Sequence, residues 1–309
     1  MYSAYRRKLL GMGMTAFAGG LVLPWAIDES GASEGALKRT IPSSGEQIPA
    51  VGLGTARTFD TGGGVEQLAP LRDVMRTFVD RGGTMVDSSP MYGQAERVVG
   101  QLVTSLDIAN RLFFATKVWT TGESSGKAQM EDSFRLLATN RIDLMQVHNL
   151  TDTQTHLSSI RELVERGRVR YAGITHYTPG AFGELESWIS KEKLDYVQFP
   201  YSIASREAET RLLAAAADHG VATIAHRNYE KGRLFRKVKG MSLPDWAAEF
   251  DCASWGNFFL KYLLGDPRIT NVIPATTKVK HLNDNMDAGM GRLPDRSMRK
   301  RMVEYIEAL

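Results

Sequence analysis

Along most of the chain, short apolar runs alternate with longer amphipathic stretches. From about residue 40, each β-branched or aliphatic run leads into a polar or glycine-containing loop. A segment follows whose apolar residues fall three and four positions apart. The runs predict strands at 50–53, 84–87, 112–117, 144–147, 171–174, 196–199, 222–225 and 272–273. The amphipathic stretches predict helices at 65–80, 94–105, 127–138, 157–166, 181–190 and 207–219. A helical region near 244–264 follows, then helices at 280–288 and 295–306. Leu68, Leu71, Val74, Met75 and Phe78 mark the buried face of the first helix, and Arg81-Gly82-Gly83 ends it. Eight strands, mostly alternating with helices, is the count that closes an α/β chain into a (β/α)8 TIM barrel.

Residues 39–49 precede the first barrel strand and read as a small hairpin, with Ile41 and Ile48 able to face the core and plug the amino-terminal mouth. The rival architecture is an open doubly wound sheet. It lacks its glycine fingerprint here, because Gly62-Gly63-Gly64 has the wrong spacing and Gly52-x-Gly54 has no third glycine.

Composition narrows the function classes. A hydrophobic fraction of 43% with 24% charged residues is that of a globular domain. The net charge of +3, from 38 basic and 35 acidic residues, predicts no nucleic-acid partner. Cys252 is the only cysteine, so an intramolecular disulfide is impossible and the thiol reads as buried and inert. With no third ligand at suitable spacing from Asp87 and His148, a zinc site is not expected.

The start is of a different kind. MYSAYRRK precedes a nearly uncharged stretch, 9–26, rich in Gly, Ala, Leu and Met, and Arg6-Arg7 resembles a twin-arginine export signal. The expected organisation is a signal segment at 1–26, a linker at 27–39 and the barrel at 40–309, with a periplasmic destination and the export machinery as a partner. A cytoplasmic enzyme, or one held at the membrane by an uncleaved segment, is the other outcome.

Three successive strand ends carry chemistry: Asp87 with Tyr92 five residues on, Lys117, and His148. In a barrel these ends share one rim, where catalytic groups collect. Each residue alone has a plain structural reading as a helix cap, a surface ion pair or a loop anchor. Together they make one coordinated site, and they resemble the catalytic set of the aldo/keto reductase family, which implies carbonyl reduction. Hydride attack on a carbonyl develops negative charge on oxygen, which must be stabilised and protonated. Tyr92 is the expected acid, Lys117 the ammonium that lowers its pKa, Asp87 the counter-ion that holds Lys117, and His148 the hydrogen-bond donor to the oxygen.

Asp87-Ser88-Ser89-x-x-Tyr92-Gly93, Thr116-Lys117 and Gln146-x-His148-Asn149 together resemble the aldo/keto reductase family, and the likeness extends from about Ile48 to Asn285. The resemblance implies a barrel that reduces aldehydes or ketones with NADP, NAD being the other option, and a small carbonyl compound as substrate. It implies cofactor contacts at Thr55 and Asp87, and an amide-binding set at Thr175, His176 and Gln198, where His176 replaces the family's asparagine. His226 stands where a tyrosine stacks under nicotinamide in many relatives, with Arg227 and Asn228 beside it. On the adenosine side the resemblance implies Thr276, Lys280 and His281 near the 2′-phosphate, and Asp284 and Asn285 at the adenine.

Phe59, Met91 and Trp119 are candidates for enclosing the substrate. The short stretch after Asn285 predicts an open pocket with broad substrate range, on a monomer or weak oligomer. Two other functions share this pattern: a nucleotide-binding, redox-sensing regulatory subunit on a reductase barrel, and an aldolase using Lys117 as a Schiff base.

Overall fold

The computed structural model describes residues 35–309. The expected signal segment at 1–26, and the linker as far as residue 34, lie outside the described residues. The linker's last residues do not: Lys38–Thr40 forms strand β1, and the Leu37 amide donates to the Gly289 carbonyl at 2.8 Å. β1 pairs antiparallel with β2 (Gln47–Pro49), with Arg39 opposite Ile48.

Eight parallel strands follow in sequence order: β3 (Leu53–Gly54), β4 (Met85–Asp87), β5 (Phe113–Val118), β6 (Ile142–His148), β7 (Val169–Thr175), β8 (Tyr196–Pro200), β9 (Ala222–His226) and β10 (Asn271–Val272). The ring closes between its ends. Val51 bridges Val272 in parallel, the Val272 amide donates to Ala50 O at 2.9 Å, and the Gly52 amide donates to Val272 O at 2.8 Å. The barrel expected from the pattern is therefore the fold observed, without the edges of an open sheet.

The alternation of side chains along each strand explains the two cores. Met85, Phe113, Leu144, Tyr171, Tyr196, Ala222 and Ile224 point inward and fill the lower barrel with Ile41 and Ile48 of the hairpin, which act as the expected plug. Val86, Phe114, Met145, Val147, Ile174, Val197 and Ala225 point outward into the larger core under the helices. Two or four residues above these inward apolar positions, the same parity delivers Asp87, Lys117, Thr175, Gln198 and His226 to the upper rim.

The helices α1 (Val65–Asp80), α2 (Ala95–Leu106), α3 (Glu123–Leu136), α4 (Thr153–Glu165), α5 (Phe182–Lys191), α6 (Leu212–Asp218), α7 (Arg233–Lys237), α8 (Trp255–Leu264), α9 (Val279–Asp287) and α10 (Arg296–Ala308) complete the chain. The first agrees with the expectation at both ends. Helices α3 and α4 start four residues earlier than expected, because their first turns are polar and carry no apolar period. The region near 244–264 is two pieces. A 3-10 helix at Asp245–Phe250 ends at Asp251 in the left-handed conformation (φ 50°), and α8 restarts where the Ser254 side chain accepts from the Asn257 amide at 2.9 Å. The short α7 follows the β9 loop and has no counterpart in the apolar pattern.

Candidate active site

The upper rim opens into a cavity of about 940 Å³ whose wall includes Asp87, Tyr92, His148, Thr175, Gln198 and His226. Beneath it lies the Lys117 ammonium, 1% exposed. It donates to Asp87 Oδ1 at 2.9 Å, to Asp87 Oδ2 at 2.8 Å and to the Ser88 carbonyl at 2.7 Å. Three acceptors satisfy its three protons, so the buried charge is fully compensated. Burial alone would strip that charge, but the Asp87 carboxylate and the Tyr92 phenol outweigh it and hold Lys117 above the usual ammonium pKa. A lysine kept protonated in this way is a poor amine nucleophile, which disfavours the Schiff-base aldolase.

Tyr92 lies across the same ammonium, with Nζ 5.2 Å from the ring centroid, and meets the His148 ring edge-on at 6.0 Å between centroids. The expectation of a lowered Tyr92 pKa is corrected by the geometry. Burial raises it and the Asp87 charge adds to the rise, while Lys117 and Arg227 pull it down without prevailing. Tyr92 thus stays a neutral phenol with a proton to give. His148 is pushed down to about 2 by burial, with Lys117, His226 and His176 adding to the shift, so its ring is neutral and carries one N–H. Its Nδ1 lies 3.0 Å from the Ser89 hydroxyl.

The cofactor candidates divide. Thr55, Thr175, Gln198, His226, Arg227 and Asn228 are on the cavity wall. Thr55 is already engaged, its hydroxyl donating to Asp87 O at 2.9 Å with the Ser88 hydroxyl 3.0 Å away. The Gln198 amide nitrogen approaches Asp87 Oδ2 at 3.4 Å, whereas its buried Oε1 has no partner, and neither has the buried Oδ1 of Asn228. Two orphaned carbonyl oxygens on one wall fit a ligand that brings amide or hydroxyl donors, as a nicotinamide ribotide does. His226 is held near 3 by burial and by Arg227, so it too is neutral.

His176 is not on the wall. It stacks on Tyr177 at 5.3 Å and receives the Thr178 amide on Nδ1, while Tyr177 itself lines the cavity under the Arg227 guanidinium. The adenosine-side candidates also stand apart from the cavity. Thr276 accepts from the Lys278 amide at 3.1 Å, and Lys280 and His281 are exposed near the start of α9. Asp284 is bound by Ser254 and Asn257, and Asn285 accepts from the Tyr229 hydroxyl at 2.5 Å.

Of the substrate-side candidates, Met91 and Trp119 line the cavity and are 41% and 43% exposed, and Gln129 bonds both the amide and the carbonyl of Trp119. Phe59 is corrected: it is wholly buried in the outer core and is not on the wall of this cavity. Cys252 is buried and pushed up to about 11, in keeping with an inert thiol. No group of three potential ligands that could hold a metal occurs among the described residues.

Among the residues at the site not singled out beforehand are Ser89, Tyr177, Tyr229, Lys231 and Phe235. Ser89 sat inside the quoted motif but its partner, His148, is 59 residues away. Tyr177 follows β7, Tyr229 and Lys231 belong to the loop after β9, and Phe235 lies on the short α7, a stretch that carries no apolar period. Arg227, Glu230 and Lys231 all adopt positive φ there.

Among curated proteins the chain is 26% identical to the aldo-keto reductase YhdN of Bacillus subtilis, over 64% of this chain and 64% of that one, so the match spans just under two thirds of that relative. It is 24% identical to the methylglyoxal reductase YeaE of Escherichia coli, over 80% and 88% of the two chains. The same identity holds to an Escherichia coli L-glyceraldehyde 3-phosphate reductase, over 79% and 85%. Among solved structures, an aldo/keto reductase from Klebsiella pneumoniae in complex with NADP and acetate superposes with a TM-score of 0.73 at 23% identity, covering 87% of this chain and 95% of that one. The profile of the aldo/keto reductase family matches residues 50–303, and with that span the chain belongs to this family.

Proposed function

We propose that the protein is an NADPH-dependent reductase of small aldehydes and ketones. The observation that carries this reading is the assembly at one cavity floor: a buried ammonium neutralised by Asp87, with a protonated Tyr92 phenol above it and a neutral His148 beside that phenol. Bound nicotinamide supplies the hydride. Thr175, Gln198 and Asn228 hold its carboxamide and ribose side, His226 offers its ring as a floor, and Arg227 meets phosphate charge. Lys280 and His281 provide exposed groups for a 2′-phosphate.

The residues of the chain then divide the work. His148 donates a hydrogen bond to the carbonyl oxygen and orients it. Tyr92 gives its proton to that oxygen as charge develops, and Lys117 stabilises the phenolate left behind. Asp87 keeps Lys117 in place, and Met91 and Trp119 enclose the rest of the substrate. Relatives named for methylglyoxal and L-glyceraldehyde 3-phosphate make short polar aldehydes the first compounds to assay. The test is NADPH oxidation by the purified protein with such a panel. Turnover that Tyr92→Phe abolishes supports the reading, and bound nucleotide with no carbonyl-dependent oxidation returns it to a regulatory subunit.

Export through the twin-arginine route is part of the same proposal. Its support is Arg6-Arg7 ahead of the uncharged 9–26 stretch. Cell fractionation of the full chain should find it in the periplasm, and replacing both arginines by lysine should leave it in the cytoplasm.

A further inference from the structure

We propose that Ser89 is a positioning residue that selects the tautomer of His148, forcing the proton onto Nε2, the nitrogen left to address the substrate oxygen. The inference rests on the reading of His148 as the carbonyl's hydrogen-bond donor and deepens it.

The case is an accounting of donors and acceptors. A neutral imidazole has one N–H and one bare nitrogen, and only the N–H can donate to a carbonyl. The Ser89 hydroxyl is wholly buried, and its polar partners are two: the Met91 amide at 3.3 Å and His148 Nδ1 at 3.0 Å. The amide can only donate, so it occupies a lone pair on Ser89 Oγ. The hydroxyl proton is then left with one acceptor, His148 Nδ1. The opposite arrangement, Nδ1–H donating to Oγ, would leave the serine proton buried with nothing to receive it, a cost of about 1–3 kcal/mol. One assignment satisfies every group, and it places the imidazole proton on Nε2.

The chain builds this geometry locally. Ser89 sits two residues beyond β4, where the Tyr92 amide donates to its carbonyl at 3.0 Å while the Met91 amide reaches its side chain. The turn that brings Tyr92 over Lys117 thus also aims the serine at β6. A strand-end carboxylate and a tyrosine five residues on would be compatible with any small residue between them. The hydroxyl links that turn to the histidine strand.

The experiment combines a spectroscopic and a kinetic arm on the NADP-bound full chain. Long-range 1H–15N spectra of 15N-histidine-labelled protein should show His148 as the Nε2–H tautomer in the wild type. In Ser89→Ala the Nδ1–H form should appear, with kcat/KM for a small aldehyde lower by roughly tenfold, the size of one lost hydrogen bond. Nucleotide Kd should stay within about twofold and Ser89→Thr should restore both readouts, a pattern that simple loosening of the turn does not produce. A pure Nε2–H signal in Ser89→Ala, or an Nδ1–H signal in the wild type, overturns the proposal. Should no carbonyl compound be turned over, the functional reading fails, and the tautomer measurement still decides the role of Ser89.

Discussion

The two halves of the rim differ in what holds the groups that face the cavity. On the catalytic side, from β4 to β6, Lys117 has its three acceptors, Asp87 is neutralised, and the Nδ1 of His148 is bonded to Ser89. On the cofactor side, from β8 to the loop after β9, Gln198 Oε1 and Asn228 Oδ1 are buried without partners. The first half fixes its charged and ring groups through protein partners, so these have little to rearrange when charge develops on a substrate, although the Gln146 amide and Asn149 Oδ1 lie buried there without partners. The second is left incomplete, and a bound ligand completes it. Groups that do chemistry are thus held by protein, and groups that hold a ligand wait for it.

Removing one of the groups held by protein partners should give the largest effects. Lys117→Met leaves the Asp87 carboxylate buried and unpaired, so unfolding free energy should fall by about 3–5 kcal/mol in urea melts and carbonyl reduction should be lost. Stability close to the wild type would show that the pair is not holding the catalytic half together. Tyr92→Phe removes only the transferable proton. Turnover should drop about 10²–10⁴-fold with nucleotide Kd unchanged, measured by NADPH oxidation and fluorescence titration.

An intermediate effect tests the neutral ring of His148. Its folded pKa, about 2, lies below the unfolded value near 6.5, so below pH 6.5 the unfolded chain binds a proton that the folded chain refuses. Stability is intact above that pH and falls as pH drops through the window toward 2, with a loss of about 2 kcal/mol from this residue by pH 5. Urea melts at pH 7 and pH 5 should show a shallower decline in His148→Gln than in the wild type. Equal slopes would mean that the ring is not held neutral.

The smallest effect belongs to the incomplete half, and its sign is the informative part. Gln198→Leu removes an unpaired acceptor together with only a long, 3.4 Å contact from the amide nitrogen to Asp87 Oδ2, so the free protein should melt close to the wild type, while nucleotide binding weakens by about tenfold. A lower melting temperature without nucleotide would show that Gln198 is satisfied internally, and the contrast between the halves would disappear.

Much of this was legible along the chain. Parity on a strand is a local property, so inward Phe113, Ala115 and Lys117 and outward Phe114 and Thr116 follow from the sequence pattern once the strand is recognised. The residue types at the ends of β4, β5 and β6 could be read for the same reason. Phe59 was misplaced because an aromatic residue in a loop has no period to say which way it faces. Helices α3 and α4 began early because their polar first turns are invisible to an apolar count, and the split before α8 hinged on a single serine cap. Ser89 was in view without its role, since nothing near residue 89 announces residue 148.

What the sequence by itself determined is the number and parity of the strands, the plug hairpin, and the kinds of group arriving at the rim, because these depend on neighbours a few positions apart. Only the tertiary structure decided which groups bond one another, which acceptors are left over, and that burial outweighs Lys117 in setting the acidity of Tyr92. Those outcomes depend on solvent exclusion and on distances across the barrel. Asp87 and Lys117 are 30 residues apart in the chain and 2.8 Å apart in space, and only the pairing of β4 with β5 brings them together.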